Sequence, residues 1–97
     1  TMYKNIINHK CLVRSYDAGV YFGTVTDIDG ETVRIENVRN IWKWSGATCL
    51  SQIANDGIKS GKVSPVVSSM ILNRCCQIVP CTPTAIENLE NQEVWQV

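Results

Sequence analysis

The chain contains few of the residues on which catalytic and metal sites depend. Its 97 residues include one histidine, one phenylalanine and three prolines, and its five cysteines form no Cys-x-x-Cys pair. His9 lies far in sequence from four of the cysteines, so the pattern does not indicate a structural zinc site. Because the cysteine count is odd, we expect reduced cysteines that are mostly buried as small apolar side chains.

The chain also lacks an excess of charge and a long apolar run. Nine Lys and Arg residues balance nine Asp and Glu residues, so the net charge is zero. This balance removes the general attraction on which proteins that coat nucleic acids depend, and we expect no long nucleic-acid partner. Apolar runs such as residues 70–72 are far shorter than the ~20 residues of a membrane helix. We therefore expect no membrane partner.

The length and composition predict one small folded domain over residues 1–97. Hydrophobic residues make up 44% of the chain and charged residues 19%, a balance typical of a chain with a packed core. Thr1 precedes Met2, and we expect Thr1 to be a residue added during cloning and Met2 to be the natural start.

The first half of the chain has the pattern of a β-meander. Residues 10–16, 20–28 and 32–38 are strand-like, with turns at 17–19 and at Asp29-Gly30. A fourth strand is predicted over 39–44 after a bend near Asn40. Side chains in a strand repeat every second residue, so Trp42 and Trp44 are expected on the same side and Lys43 on the other.

The second half mixes helices and strands. A short helix is predicted over 47–56, a loop over 59–65 and strands over 66–72 and 74–79. Thr82 and Pro83 are typical of a helix start, and this last helix should run to about Asn91, with Trp95 pinning the tail. The sum is an α+β domain built on a curved, barrel-like antiparallel sheet with two short helices.

No cluster of residues in the sequence indicates catalysis. His9 and Cys11 lie two residues apart with no group nearby to orient the imidazole. Asp17, Asp27 and Asp29 lie around turns, where aspartate is favoured for backbone hydrogen bonding. We therefore expect neither an enzyme nor a bound metal or cofactor.

Residues 39–48 form the segment with the clearest binding chemistry. They place two indoles, two cations and several small hydroxyl or amide groups directly before a predicted helix. Bases stack on aromatic faces, and phosphates bind guanidinium groups or helix-start amides. Arg14, Arg34 and Arg74 are further candidates for phosphate binding. Core or interface packing of the two tryptophans remains the alternative interpretation.

Four segments together resemble a small domain that is widespread among tailed bacteriophages. They are Tyr-Asp-Ala-Gly-Val-Tyr-Phe-Gly at 16–23, Val-Arg-Asn-Ile-Trp-Lys-Trp-Ser-Gly-Ala at 38–47, Leu-Ser-Gln-Ile-Ala at 50–54 and the segment from Ile-Val-Pro-Cys-Thr to Ala85 at 78–85. The domain resembles phage immune-evasion proteins that act as sponges for nucleotide second messengers of bacterial defence, notably CBASS systems. The resemblance implies sequestration without cleavage, in the host cytoplasm, by a homo-oligomer for which a tetramer is favoured.

The resemblance also implies a ligand and a set of binding residues. A cyclic dinucleotide such as 3',3'-cGAMP is the leading ligand, with cyclic trinucleotides and ADP-ribose derivatives as alternatives. Aromatic side chains would stack on the bases, Arg39 and the helix start would bind phosphate, and hydroxyls would contact base edges or ribose. The family has two basic residues before its aromatic pair, whereas this chain has Arg39 and Asn40. The expected ligand-binding residues are Tyr16, Tyr21, Arg39, Trp42, Trp44, Ser45, Thr48 and Ser51.

Two other functions remain open at this stage. A structural or host-protein-interaction module would use Trp42 and Trp44 to close an interface and would bind no nucleotide. A phosphodiesterase-like enzyme would need a base or a metal, for which His9 is the one histidine available.

Overall fold

Six strands and two helices make up the structure, a computed structural model that describes residues 2–95. The expectation about Thr1 therefore falls on a residue outside the described part. In chain order the elements are β1 (His9–Ser15), β2 (Gly19–Asp29), β3 (Thr32–Ser45), α1 (Leu50–Asp56), β4 (Ser60–Val63), β5 (Val67–Leu72), β6 (Cys75–Pro80) and α2 (Pro83–Glu90).

The strands form one antiparallel sheet in the order β4-β3-β2-β1-β6, and β5 also pairs with β3. The first part of β3 pairs with β5 and its last part with β4, so these two short strands share one edge of the sheet. Within the described residues β6 pairs only with β1, so the curved sheet stays open. The predicted α+β class and antiparallel meander are confirmed.

Both faces of the sheet are apolar, because three consecutive residues of β1 are buried and their side chains point alternately to the two faces. Leu12 belongs to a core cluster with Phe22, Ile41 and residues of both helices. Its neighbours Cys11 and Val13 belong to a second cluster, on the opposite face. The two helices therefore cover one face, and the curvature of the sheet encloses the other.

The strand predictions differ from the structure at two places. The predicted fourth strand is the end of β3, and the irregular residue is Asn37, with φ +50°, rather than Asn40. Asparagine tolerates this left-handed conformation, so the strand continues past it. The predicted loop over 59–65 contains β4, which the local sequence does not favour and which pairing with β3 creates.

The two helices differ in how well their starts were predicted. Helix α1 begins at Leu50 instead of Ala47, because Gly46, with φ +85°, and the residues after it first turn the chain away from β3. Helix α2 begins as predicted, with the Thr82 side chain accepting a hydrogen bond from the Ala85 amide at 3.1 Å. Neither helix is long enough or apolar enough to cross a membrane, among the residues described.

The last described residue, Trp95, lies beside β4. The Trp95 amide donates to the Val63 carbonyl at 3.0 Å, so Trp95 does fix the end of the described chain against β4.

All five cysteines are free. Cys11 is buried, and burial raises the pKa of its thiol to about 11. The expectation that the cysteines are mostly buried is wrong, because Cys75 and Cys81 are half-buried and Cys49 and Cys76 are exposed.

Candidate functional site

An open cleft of about 620 Å³ lies where β1 ends, β2 begins, β3 ends and α1 begins. We call it the Trp44 cleft. It is lined by Arg14, Ser15, Tyr16, Gly19, Val20, Trp44, Thr48, Cys49, Leu50, Ser51 and Gln77. The lining thus combines two aromatic side chains, one cation, several hydroxyls and an amide.

Two glycines allow the chain to turn at the borders of the cleft. Gly19 has φ +96° and pairs with Ser15, closing the turn between β1 and β2 that carries Tyr16. Gly46 follows β3, and a Cβ at this position would lie 2.3 Å from the Cβ of Lys59. Both backbone conformations strongly favour glycine. The two glycines therefore help to determine the shape of the cleft, together with the packing of the elements around it.

Arg14 and Trp44 give the cleft its main chemistry. Arg14 is exposed and has Gln77 and Val20 as its cross-strand partners on β6 and β2. Trp44 is half-buried and packs against the core cluster that contains Ile41. The core cluster therefore holds the indole in place, and the exposed part of the indole lines the cleft. A fixed aromatic surface and an exposed arginine in the same cleft suit a planar ligand that carries negative charge.

A second cation lies beside Tyr16, at the rim of the cleft. The Arg74 guanidinium carbon is 5.7 Å from the centre of the Tyr16 ring, and an Arg74 guanidinium nitrogen lies 3.1 Å from Asp17 Oδ1. Arg74 adopts φ +53°, uncommon for a residue other than glycine or asparagine. Its carbonyl accepts a hydrogen bond from the Tyr16 amide at 3.1 Å, which holds this conformation.

Two hydrogen bonds join Thr48 to Gln52 at the start of α1. The Thr48 amide and the Thr48 hydroxyl both donate to Gln52 Oε1, each at 2.9 Å. Cys49 occupies the N-cap position. The backbone amide of Gln52 is the main cause that lowers the pKa of the Cys49 thiol, and the Thr48 hydroxyl adds to it. The Cys49 side chain makes no capping hydrogen bond, so the role of this helix start in phosphate binding stays a prediction.

The structure brings four of the eight predicted ligand-binding residues into the Trp44 cleft. They are Tyr16, Trp44, Thr48 and Ser51. Tyr16 and Ser51 are exposed, so both side chains are accessible to a ligand. The other four predicted residues lie elsewhere.

Arg39 is buried in the interior, with 4% of its surface exposed. Its guanidinium donates to the carbonyl oxygens of Ser64 at 2.9 Å, Leu89 at 3.0 Å and Glu90 at 3.4 Å. Burial lowers the pKa of this guanidinium. These bonds join β3 to the end of α2, so the phosphate-binding role predicted for Arg39 does not fit its position.

Tyr21, Trp42 and Ser45 also lie outside the cleft lining. Tyr21 packs against the core cluster on the opposite face of the sheet. Ser45 shares a hydrogen bond of 2.7 Å with the Ser60 hydroxyl. Trp42 contacts Trp95 edge to face, with 5.8 Å between ring centres. Trp42 and Trp44 were predicted to share one side of the strand because side chains alternate along it. The pairing of β3 with β4 shifts in register between Ile41 and Lys43, and this irregularity disturbs the alternation.

Seven of the eleven residues that line the cleft were not among the expected binding residues, and Arg14, Gln77 and Cys49 are three of them. Arg14 was a candidate for phosphate binding, and its position just before the Tyr16 turn was the available signal. Gln77 reaches the cleft only through the pairing of β6 with β1, which no local pattern predicts. Cys49 was expected to be buried and is instead exposed, at the N-cap position of α1.

A model of a known protein family matches most of the chain. The model of a domain of unknown function, DUF6948, matches residues 8–89. The chain belongs to this family. The matched DUF6948 region contains every residue that lines the Trp44 cleft. No curated protein and no solved structure matches the chain.

Proposed function

We propose that this protein binds a nucleotide second messenger of bacterial anti-phage defence in the Trp44 cleft and sequesters it without cleaving it. The observation that carries the proposal is the convergence of Arg14, Tyr16 and Trp44 on one concave site. An aromatic surface for a base and a cation for a phosphate are the two elements that nucleotide binding needs.

The size of the cleft and its polar lining support the same ligand class. Sites for small molecules typically enclose about 300 to 1,000 Å³, and the cleft volume of about 620 Å³ falls in that range. Hydroxyls of Ser51 and Thr48 and the amide of Gln77 supply the donors and acceptors that a base edge or a ribose requires. A cyclic dinucleotide such as 3',3'-cGAMP is the first ligand we propose.

The lining of the cleft supports binding rather than catalysis. Among the residues that line it in the described part of the chain, none is His, Asp or Glu. His9 lies at the opposite end of β1 from Arg14 and is not among the lining residues. We therefore propose that the ligand is held and released unchanged.

The biological setting follows from the resemblance of the signature segments. We propose a phage immune-evasion role, as an inhibitor of CBASS or of a related nucleotide-based defence, in the cytoplasm of the bacterial host. We also propose a homo-oligomer, with a tetramer favoured, because a small domain can complete an open cleft with residues from a second subunit.

Replacing Arg14 with glutamine tests the proposed site. We expect R14Q to weaken binding of 3',3'-cGAMP by about tenfold or more, because a charge-assisted hydrogen bond to phosphate is lost. The control is R34Q, since Arg34 is also exposed but lies near the start of β3, whereas Trp44 lies near its end. Calorimetric titration should give R34Q an affinity within about twofold of the wild type. Equal loss in both variants would contradict the assignment of the site.

One observation favours a second candidate function, a structural or host-protein-interaction module. Trp42 and Trp95 are 47% and 41% exposed, and the Lys62 ammonium lies 4.4 Å from the centre of the Trp95 ring. Exposed tryptophans beside cations are typical of protein interfaces. This function predicts no nucleotide binding and loss of partner binding when Trp42 is replaced by alanine.

A further inference from the structure

The outer edge of β5 lacks the features that normally keep a sheet edge from pairing. β5 pairs with β3 along one side in a regular register, and within residues 2–95 no strand pairs with its other side. Residues 66–72 contain no charged residue and no proline. Natural edge strands usually carry lysine, proline or a bulge that blocks pairing with another chain. The free edge of β5 is therefore open to a further strand.

The side chains of this edge are also unusually apolar for an exposed strand. Val66, Val67 and Ile71 are 58%, 42% and 56% exposed. Because side chains alternate along a strand, Val67, Ser69 and Ile71 share the solvent-facing side of β5. Leu72, on the other side, is buried in a core cluster. The edge thus combines unpaired backbone groups with apolar side chains, both of which pairing with another strand would cover.

We propose that the partner of this edge is a second copy of the chain, joined by antiparallel pairing of β5 with β5 about a two-fold axis beside Ser69. A two-fold axis perpendicular to the sheet places one residue opposite its own copy. With Ser69 at the axis, Val67 of each copy lies opposite Ile71 of the other, so both exposed apolar residues gain an apolar partner. Axes beside Ser68 or Met70 would leave Val67 opposite a serine or an asparagine.

The absence of charged residues from β5 allows this pairing. A two-fold interface places the residue at the axis opposite its own copy, so a charge there would meet a like charge. β5 carries no charge, and this repulsion does not arise. Pairing would extend the sheet of one copy into the sheet of the other. No residue of β5 lines the Trp44 cleft, so this interface does not depend on the proposed nucleotide binding.

A lysine at the axis tests the interface. In S69K two ammonium groups would face each other, and we expect the dissociation constant of the assembly to rise by about tenfold or more. Sedimentation should show the wild type as a dimer or a multiple of it, and S69K at half that mass. The control is N55K, because Asn55 is exposed on α1 and adds the same charge away from β5. N55K should assemble like the wild type.

A mixture of variants gives the most specific result. S69K mixed with S69E should assemble again, because opposite charges then meet at the axis. If either variant fails to fold, amide hydrogen exchange of the wild type replaces this test, since β5 amides should exchange more slowly as protein concentration rises. A wild type that is monomeric at all concentrations, or S69K that assembles as well as N55K, would overturn the proposal.

Discussion

Replacing Arg39 with alanine should lower the free energy of unfolding by about 3 to 5 kcal/mol. The substitution removes a buried guanidinium and leaves the carbonyl oxygens of Ser64, Leu89 and Glu90 without their donor. Hydrogen bonds to charged groups contribute about 1.5 to 3 kcal/mol each, and unsatisfied buried acceptors add a further penalty. Urea unfolding followed by circular dichroism measures this loss.

The control for this prediction is alanine at Arg14, which is exposed. R14A should change the free energy of unfolding by no more than about 0.5 kcal/mol, as is usual for surface substitutions. R39K should show most of the loss in free energy of unfolding expected for R39A, since an ammonium group cannot reproduce the planar fork of the guanidinium. An R39A protein as stable as the wild type that fails to bind nucleotide would contradict the structural role and restore the binding role predicted from the sequence.

Replacing Trp44 with leucine should weaken nucleotide binding by about tenfold to a hundredfold. Stacking of a base on an aromatic side chain contributes about 1 to 3 kcal/mol, and a difference of 1.4 kcal/mol is tenfold in affinity. Leucine retains an apolar contact with the core cluster on which Trp44 packs but offers no surface for stacking. Calorimetric titration with 3',3'-cGAMP measures the change, and circular dichroism verifies that the variant folds.

The matched control is W42L, because Trp42 lies outside the cleft and contacts Trp95 instead. W42L should bind nucleotide with an affinity close to that of the wild type. The two tryptophans lie two residues apart and are chemically identical, so the pair isolates the effect of position. Loss of binding in W42L with retention in W44L would mean that the ligand occupies the surface around Trp95.

Much of the fold could be predicted from the sequence because its signals are local. The Asp29-Gly30 turn, the strand alternation before it and the Thr82 cap each act within a few residues, and each is present in the structure. Strand β4 and the exact start of α1 could not be predicted in the same way. They depend on pairing with β3 and on the turn at Gly46, which are tertiary and steric effects.

The site was predicted less completely because proximity along the chain is not proximity in space. Tyr16 and Trp44 line the same cleft, although Tyr16 lies in the turn after β1 and Trp44 lies near the end of β3. Arg39 belongs to the same signature segment as Trp44, yet the carbonyls at the end of α2 occupy its guanidinium. Whether an arginine binds a ligand or a backbone carbonyl depends on long-range packing, and a motif does not specify it.

The most direct test of the proposed function is titration of the wild-type protein, followed by recovery of the ligand. The panel would contain cyclic dinucleotides, cyclic trinucleotides and ADP-ribose derivatives, and the bound ligand would be released by heat and identified by chromatography. We predict saturable binding of one of these nucleotides and its recovery intact. Absence of binding across the panel, or recovery of a chemically altered nucleotide, would contradict sequestration in the Trp44 cleft.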